Sequence, residues 1–280
     1  MKFADIHVRD PFILVEDGKY YLYGTRGKGA WGTIYGVDVF VSDDLENWSE
    51  AHEVFAVPED DNWTAHMWAP EVHKYNGNYY MFVTFNRPMN GTYILKSESP
   101  MGPFDFHSEG SITPVEWSSL DGTFYVEDGK PYMVFCHEWT QIKDGEICGV
   151  ELSEDLSKPV GEPFFILRAS EQPHVKGMGS DSFVTDGPFM FKNSDGKLLM
   201  IWSSFGALGY LEAIAYSEGG VKGPWKLSDK LLFEQDGGHG MIFRALDGSL
   251  KFICHQPNNS PNERPVLVDI EEKDGFLYRI

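Results

Sequence analysis

Five times along the chain a polar or turn residue is followed by an apolar run, a glycine-containing turn and a second apolar run rich in aromatics. The copies are DPFILVEDGKYYLYGT from Asp10, APEVHKYNGNYYMFVT from Ala69, DGTFYVEDGKPYMVFC from Asp121, DGPFMFKNSDGKLLMIWS from Asp186 and GHGMIFRALDGSLKFICH from Gly238. Their turns, Asp17-Gly18, Asn76-Gly77, Asp128-Gly129, Asp195-Gly196 and Asp247-Gly248, are the pairs that accept positive φ. Each copy is therefore predicted to be a β-hairpin. Successive copies start about 50 to 65 residues apart, which leaves room for two further strands after each hairpin. Candidates are DVFVS and HEVFAV, TYILKS, ICGVELS and EPFFIL, and EAIAYS and KLLFE. Four-stranded units repeated radially make a β-propeller. A β-sandwich also has short strands, but it gives no reason for one hairpin motif to return five times. The prediction is all-β: a single five-bladed β-propeller over residues 1–280, with antiparallel four-stranded blades around a central channel and no helix of ordinary length.

Charge narrows the partners. Lys+Arg number 23 against 43 Asp+Glu, a formal net charge of -20. Nucleic acid and anionic membrane surfaces both call for basic patches, so neither is expected as a partner. Cys136, Cys148 and Cys254 are an odd number without metal-type spacing and read as free buried thiols. No run of 18 apolar residues predicts a membrane span. The start, MKFADIHVRD, lacks the apolar core of a secretory signal, which fits either an intracellular protein or a trimmed exported form. Oligomeric state is left open.

In a propeller blade the start of the first strand and the end of the second open on the same face. Those positions form one ring: Asp10 with Thr25 and Arg26, Glu71 with Asn86 and Arg87, Asp121 with His137 and Glu138, Asp186 with Ser203 and Ser204, and His239 with His255. Aspartate also caps turns, which is the bland account of its recurrence. Three carboxylates around one axis repel, which raises at least one pKa and separates an acid from a base. Trp68, Trp139 and Phe205 flank the same positions. Flat aromatics beside carboxylates suit a sugar ring, which stacks by its C–H faces while its hydroxyls take hydrogen bonds.

The elements HVRDPFIL, WAPEVHKYNGNYYMF, LDGTFYVEDGKPYMVF, TDGPFMFK and GGHGMIF, in this order across nearly the whole chain, resemble glycoside hydrolase family 43. These are five-bladed propeller glycosidases acting on arabinofuranosyl and xylosyl linkages. The resemblance implies an inverting hydrolase with a pentose-containing carbohydrate as substrate and no redox or nucleotide cofactor. It implies Asp10 as general base and Asp121 as the residue that tunes the acid and orients the sugar. The family's general acid is a glutamate in an E-G-P element, and the matching residue here is Asp186. Aspartate is one methylene shorter, which sets a proton donor back by about 1.5 Å. Three readings follow: Asp186 is brought forward and remains the acid, Glu138 supplies the proton, or the chain only binds sugar. Trp68, Glu71, Trp139 and Phe205 are expected at the substrate from their places around the ring, and Arg264 resembles a family arginine that reaches the sugar or the acid, with a surface-loop arginine as the other reading. The resemblance also places His239 in the channel beside ordered water or a cation. Calcium prefers oxygen ligands, so a channel histidine with its hydrogen bonds satisfied competes with a calcium ligand at that position.

Overall fold

A computed structural model of the chain describes residues 1–26, 32, 34–58, 66–179 and 181–280. The strands form five four-stranded antiparallel sheets, each in simple up-and-down order. Blade one holds β1 (Val8–Glu16), β2 (Lys19–Arg26), β3 (Gly36–Ser42) and β4 (His52–Ala56). Blade two holds β5 (Met67–Tyr75), β6 (Asn78–Asn86), β7 (Asn90–Ser97) and the two-residue β8 (Asp105–Phe106). Blade three holds β9 (Ser119–Glu127), β10 (Lys130–His137), β11 (Glu146–Leu152) and β12 (Pro159–Arg168). Blade four is β13 (Asp186–Lys192), β14 (Leu198–Gly206), β15 (Gly209–Ser217) and β16 (Trp225–Phe233). Blade five is β17 (Gly238–Arg244), β18 (Leu250–Gln256), β19 (Arg264–Lys273) and β20 (Phe276–Arg279). The first strands of neighbouring blades touch around the ring, and β1 closes it against β17. The last blade is built wholly from C-terminal residues, so the ring closes without a strand exchanged between the first and last blades, and Arg9 and Asp10 bond Glu263, Asn258 and His255 across that seam. The α-helix among the described residues, α1 (Trp139–Ile142), is a single turn.

The predicted hairpins are all present, in two forms. Asp17-Gly18, Asn76-Gly77 and Asp128-Gly129 have positive φ at both residues, the two-residue turn whose twist matches that of the strands. In blades four and five the paired strands end at Lys192↔Leu198 and Arg244↔Leu250, so residues 193–197 and 245–249 form longer loops, with only the glycine at positive φ.

Every first strand carries a β-bulge, two residues facing one on the second strand. The bulged pairs are Asp10-Pro11, Ala69-Pro70, Asp121-Gly122, Gly187-Pro188 and His239-Gly240. The first residue of each pair lies in the left-handed region, with φ of 52°, 49°, 58°, 47° and 49° in that order. A non-glycine residue there costs on the order of 1–2 kcal/mol, and strain of this kind gathers at functional sites. The register corrects the alignment of the five copies in two places. The fourth-blade equivalent of Asp10 is Gly187, and Asp186 stands one residue before the bulge. The second-blade equivalent is Ala69, and Glu71 lies beyond the bulge.

Candidate functional site

The bulges turn Asp10, Asp121 and His239 into the mouth of the channel, while Ala69 and Gly187 leave space. The resulting cavity, ≈ 420 Å³, is lined by these three side chains and by Asp186 and Glu138, with Trp68, Trp139, Phe205 and Met178 among its walls. A Cβ on Gly187 would lie 2.6 Å from His239 Cδ2, so the missing side chain is what admits the imidazole.

Asp10 is 5 % exposed and surrounded by donors. Thr25 Oγ1 donates to its Oδ2 at 2.7 Å and Arg9 Nε to its Oδ1 at 3.2 Å, while His239 Nδ1 stands 3.2 Å from Oδ1. Burial pushes the carboxyl up, but His239, Arg9 and the Thr25 hydroxyl outweigh it and hold Asp10 well below the usual carboxylate range. His255 Nδ1 also lies 3.4 Å from Asp10 Oδ1, yet this is not an ion pair. Burial drives His255 down to about 3, and its Nδ1 accepts the Asp10 backbone N–H at 3.2 Å. The neutral ring then carries its proton on Nε2 and faces Asn258 Oδ1 at 3.2 Å. Behind Asp10, Arg9 Nη1 meets the fully buried Glu263 at 3.1 Å and Nη2 donates to Asn258 Oδ1 at 3.3 Å.

The other two carboxyls move the opposite way. Burial lifts Asp121 to about 7, partly countered by His239 and reinforced by the nearby charges of Asp186 and Asp10. Asp121 Oδ2 accepts the Gly187 backbone N–H at 3.0 Å and lies 3.8 Å from His239 Nδ1. Asp186 is raised as well, first by burial, with His239 and the Tyr210 hydroxyl pulling it back. Tyr210 Oη donates to Asp186 Oδ2 at 2.9 Å. For His239, burial lowers the pKa, but the three aspartates around it raise it overall. An imidazole at this position offers nitrogen, whereas calcium prefers oxygen ligands. Among the described residues no group of three or more His, Cys, Asp or Glu side chains is arranged as a metal site.

Glu138 is the N-cap residue of α1 and differs in kind from the aspartates. Its Oε2 accepts from Ser118 Oγ at 2.6 Å and from Asn90 Nδ2 at 2.8 Å, and Asn86 Nδ2 in turn holds Asn90 Oδ1 at 2.6 Å. Trp139 follows on α1, and Trp68 stacks on His66 with centroids 5.6 Å apart.

Asp10, Asp121, Asp186, Glu138, Trp68, Trp139, Phe205 and His239 thus share one cavity. Glu71 and Arg264 do not line it. Glu71, past its bulge, pairs with His73 Nε2 at 2.8 Å, and that ring is packed against Phe12, Phe82 and Phe124. Arg264 donates to the backbone carbonyl of Glu263, and it is Glu263 and Asn258 from this segment that turn inward. Arg26 is likewise occupied on the blade, donating to Asp38 at 2.7 Å through both Nε and Nη2. Part of the loop TRGKGAWGTIYG, residues 27–31 and 33, lies outside the described residues. Arg9, Asn90, Tyr210 and Glu263 escape sequence reading. Only Arg9 carries a local signal, its place beside Asp10.

A family model described as glycosyl hydrolases family 43 matches residues 4–277. The fold is similar to a crystal structure described as an endo-arabinase from Bacteroides thetaiotaomicron VPI-5482, with a TM-score of 0.90, 38% identity and 98% of each chain covered. The chain is also similar to extracellular endo-alpha-(1->5)-L-arabinanase 1 of Bacillus subtilis (strain 168), 24% identical over 172 residues, 57% of this chain and 50% of that protein. Xylosidase/arabinosidase 43A of Humicola insolens is 30% identical over 153 residues, 49% of this chain and 45% of that protein. The chain spans half or less of the length of these two curated relatives.

Proposed function

From the premise that the chain belongs to glycosyl hydrolases family 43, we propose that it is an inverting glycosidase acting on α-L-arabinofuranosyl linkages, with β-D-xylosyl linkages as the alternative substrate. The observation that carries this reading is one cavity holding a carboxylate kept ionised, Asp10, and a carboxyl pair pushed toward the protonated form, Asp121 and Asp186. A general base and a general acid need that division near neutral pH. Arabinofuranosyl is placed first because the Bacteroides structure and the Bacillus relative are both described as arabinan-cleaving.

In the proposed reaction Asp10 takes a proton from a water that attacks the anomeric carbon. Asp186 gives its proton to the leaving oxygen as the glycosidic C–O bond breaks. Inversion asks for about 6.5–9.5 Å between the two carboxyls, room for the water. Asp121 and Asp186 repel when both are ionised, so the pair retains a proton near neutral pH, and the Gly187 N–H steadies the Asp121 carboxyl beside it. Glu138, with one oxygen held by Asn90 and Ser118, is assigned as an acceptor for a sugar hydroxyl and not as the proton donor. Trp68, Trp139 and Phe205 supply stacking surface. The substrate is accordingly carbohydrate, and no cofactor enters the scheme.

Nitrophenyl arabinofuranoside and xyloside, linear arabinan and xylan, with NMR of the first-formed anomer, test the proposal. Asp10→Ala is expected to lose at least about 100-fold in kcat/KM, with activity partly restored by azide as an external nucleophile. Tight sugar binding by the wild type without turnover on any of these substrates would sink the enzyme reading in favour of a carbohydrate-binding propeller.

A further inference from the structure

We propose that Tyr210 is the positioning residue that aims the shortened acid, fixing Oδ2 of Asp186 so that the transferable proton sits on Oδ1; this rests on the assignment of Asp186 as the general acid. Tyr210 is not itself part of the cavity wall. It begins β15 behind that wall, is 1 % exposed, and its Oη donates to Asp186 Oδ2 at 2.9 Å. A phenol that donates to one carboxyl oxygen leaves the acid proton to the other. Burial pushes the phenol well above its usual range, so it stays a donor throughout the working pH.

The ring has little freedom to follow the carboxyl. It stacks on His255 with centroids 5.6 Å apart and planes 21° apart, and Phe205 packs against it at 5.1 Å. Its backbone is tied to Asp236 Oδ1 and to the Gly237 N–H. Gly209 before it adopts φ 100°, where a Cβ would lie 2.4 Å from Asp236 Oδ1, so the entry of β15 is fixed too. An aspartate has one fewer rotatable bond than a glutamate and reaches about 1.5 Å less far. A rigid phenol that selects one orientation of the shorter carboxyl offsets part of that deficit, because misplacement by 1 Å can cost about 100-fold.

Tyr210→Phe keeps both ring contacts and removes only the hydroxyl. A substrate with a poor leaving group depends on the acid, whereas 4-nitrophenolate leaves largely unaided. The expected result is a fall in kcat/KM of about 10-fold or more on a 1,5-arabino-oligosaccharide and less than about 3-fold on 4-nitrophenyl arabinofuranoside. The basic limb of the pH profile should move to higher pH, since the Asp186 carboxylate loses a donor. The other groups facing it, His239, Arg9, Asp121 and Glu138, remain in place. Asp186→Asn should show the same leaving-group selectivity, more strongly. If Asp186→Asn lacks that selectivity, the acid assignment fails, and with it the role of Tyr210. If Asp186→Asn shows it and Tyr210→Phe slows both substrates equally, or neither, the positioning role alone is overturned. Asp186→Glu adds an internal check: with the longer acid the Tyr210→Phe loss should shrink, whereas a purely structural phenol would give the same loss in both backgrounds.

Discussion

Replacing Gly187 by alanine sets a methyl group against the imidazole of His239. The added Cβ would stand 2.6 Å from Cδ2, 2.7 Å from Cγ and 2.9 Å from Nε2. Non-bonded carbons rest at about 3.5–4.0 Å, so the ring must retreat by about 1 Å or the bulge must open. Opening is resisted, because the His239 N–H is held on Ser203 Oγ at 2.6 Å and the Gly240 N–H on Glu212 Oε2 at 3.2 Å. Overpacking together with alanine at φ 47° should cost about 2–4 kcal/mol in stability. A 1 Å retreat also takes the imidazole away from Asp10 and Asp121, to which Nδ1 now stands at 3.2 and 3.8 Å. On the scale of catalytic misplacement this is about 100-fold in kcat/KM. With His239 withdrawn, Asp121 climbs further above about 7 and the basic limb of the rate profile shifts to higher pH. Steady-state kinetics over pH 5–9 and a thermal melt check all three effects. Activity within 3-fold of wild type (about 0.7 kcal/mol) with an unchanged melting temperature would refute the packing argument.

Other perturbations test the charges behind the cavity. Asp121 and Glu212, raised mainly by burial to about 7 and about 8, keep their protons in the folded chain where the unfolded chain has lost them. Their contribution to stability is therefore full below about pH 4 and is lost as pH rises through 7 to 8, so the melting temperature should fall between pH 5 and 8.5. Glu212→Gln should flatten that slope, and an unchanged slope would remove Glu212 from the account. Asp10, held low, contributes in the opposite sense and loses its stabilisation only in acid. Arg9→Met takes the ion-pair partner from the fully buried Glu263, and urea unfolding should register a loss of about 3–5 kcal/mol, partly recovered by adding Glu263→Gln. Equal stability of the single and double variants would show that the pair is not what Arg9 supports.

The blades were legible because Asp-Gly and Asn-Gly turns are local signals that two apolar runs frame. The outer strands were less so. β8 is only two residues long, and in the fifth blade the Asp274-Gly275 turn, with φ of 52° and 77°, uses the same chemistry between the third and fourth strands, where the repeat gave no reason to look. Asp10, Asp121 and His239 could be found because each bulge needs a residue that tolerates a left-handed backbone beside Pro or Gly. The one-residue offset at Gly187 was hidden, because Asp-Gly-Pro reads equally well in either register. Tyr210, Glu263 and Asn90 lie 24, 254 and 48 residues from the groups they bond, and no local pattern encodes such pairings.

The same geometry, repeated five times, explains why one junction differs chemically. At four junctions the backbone N–H of the bulge donates to the second strand of the preceding blade. Ala69 bonds Thr25 Oγ1, Asp121 bonds Thr84 Oγ1, His239 bonds Ser203 Oγ and Asp10 bonds His255 Nδ1. The equivalent position between blades three and four is Cys136, paired with Leu120 as Thr25 is with Arg9. Burial holds its thiol well above the usual range, and a neutral sulfur is a weak acceptor. The Gly187 N–H turns instead to Asp121 Oδ2, and its dipole offsets part of the burial that raises this carboxyl. A thiol where the other blades place a hydroxyl or imidazole thus directs a backbone donor onto the carboxylate beside the acid. Were that carboxyl left to burial alone it would rise further and hold the pair's proton more firmly, leaving less of it for Asp186 to donate.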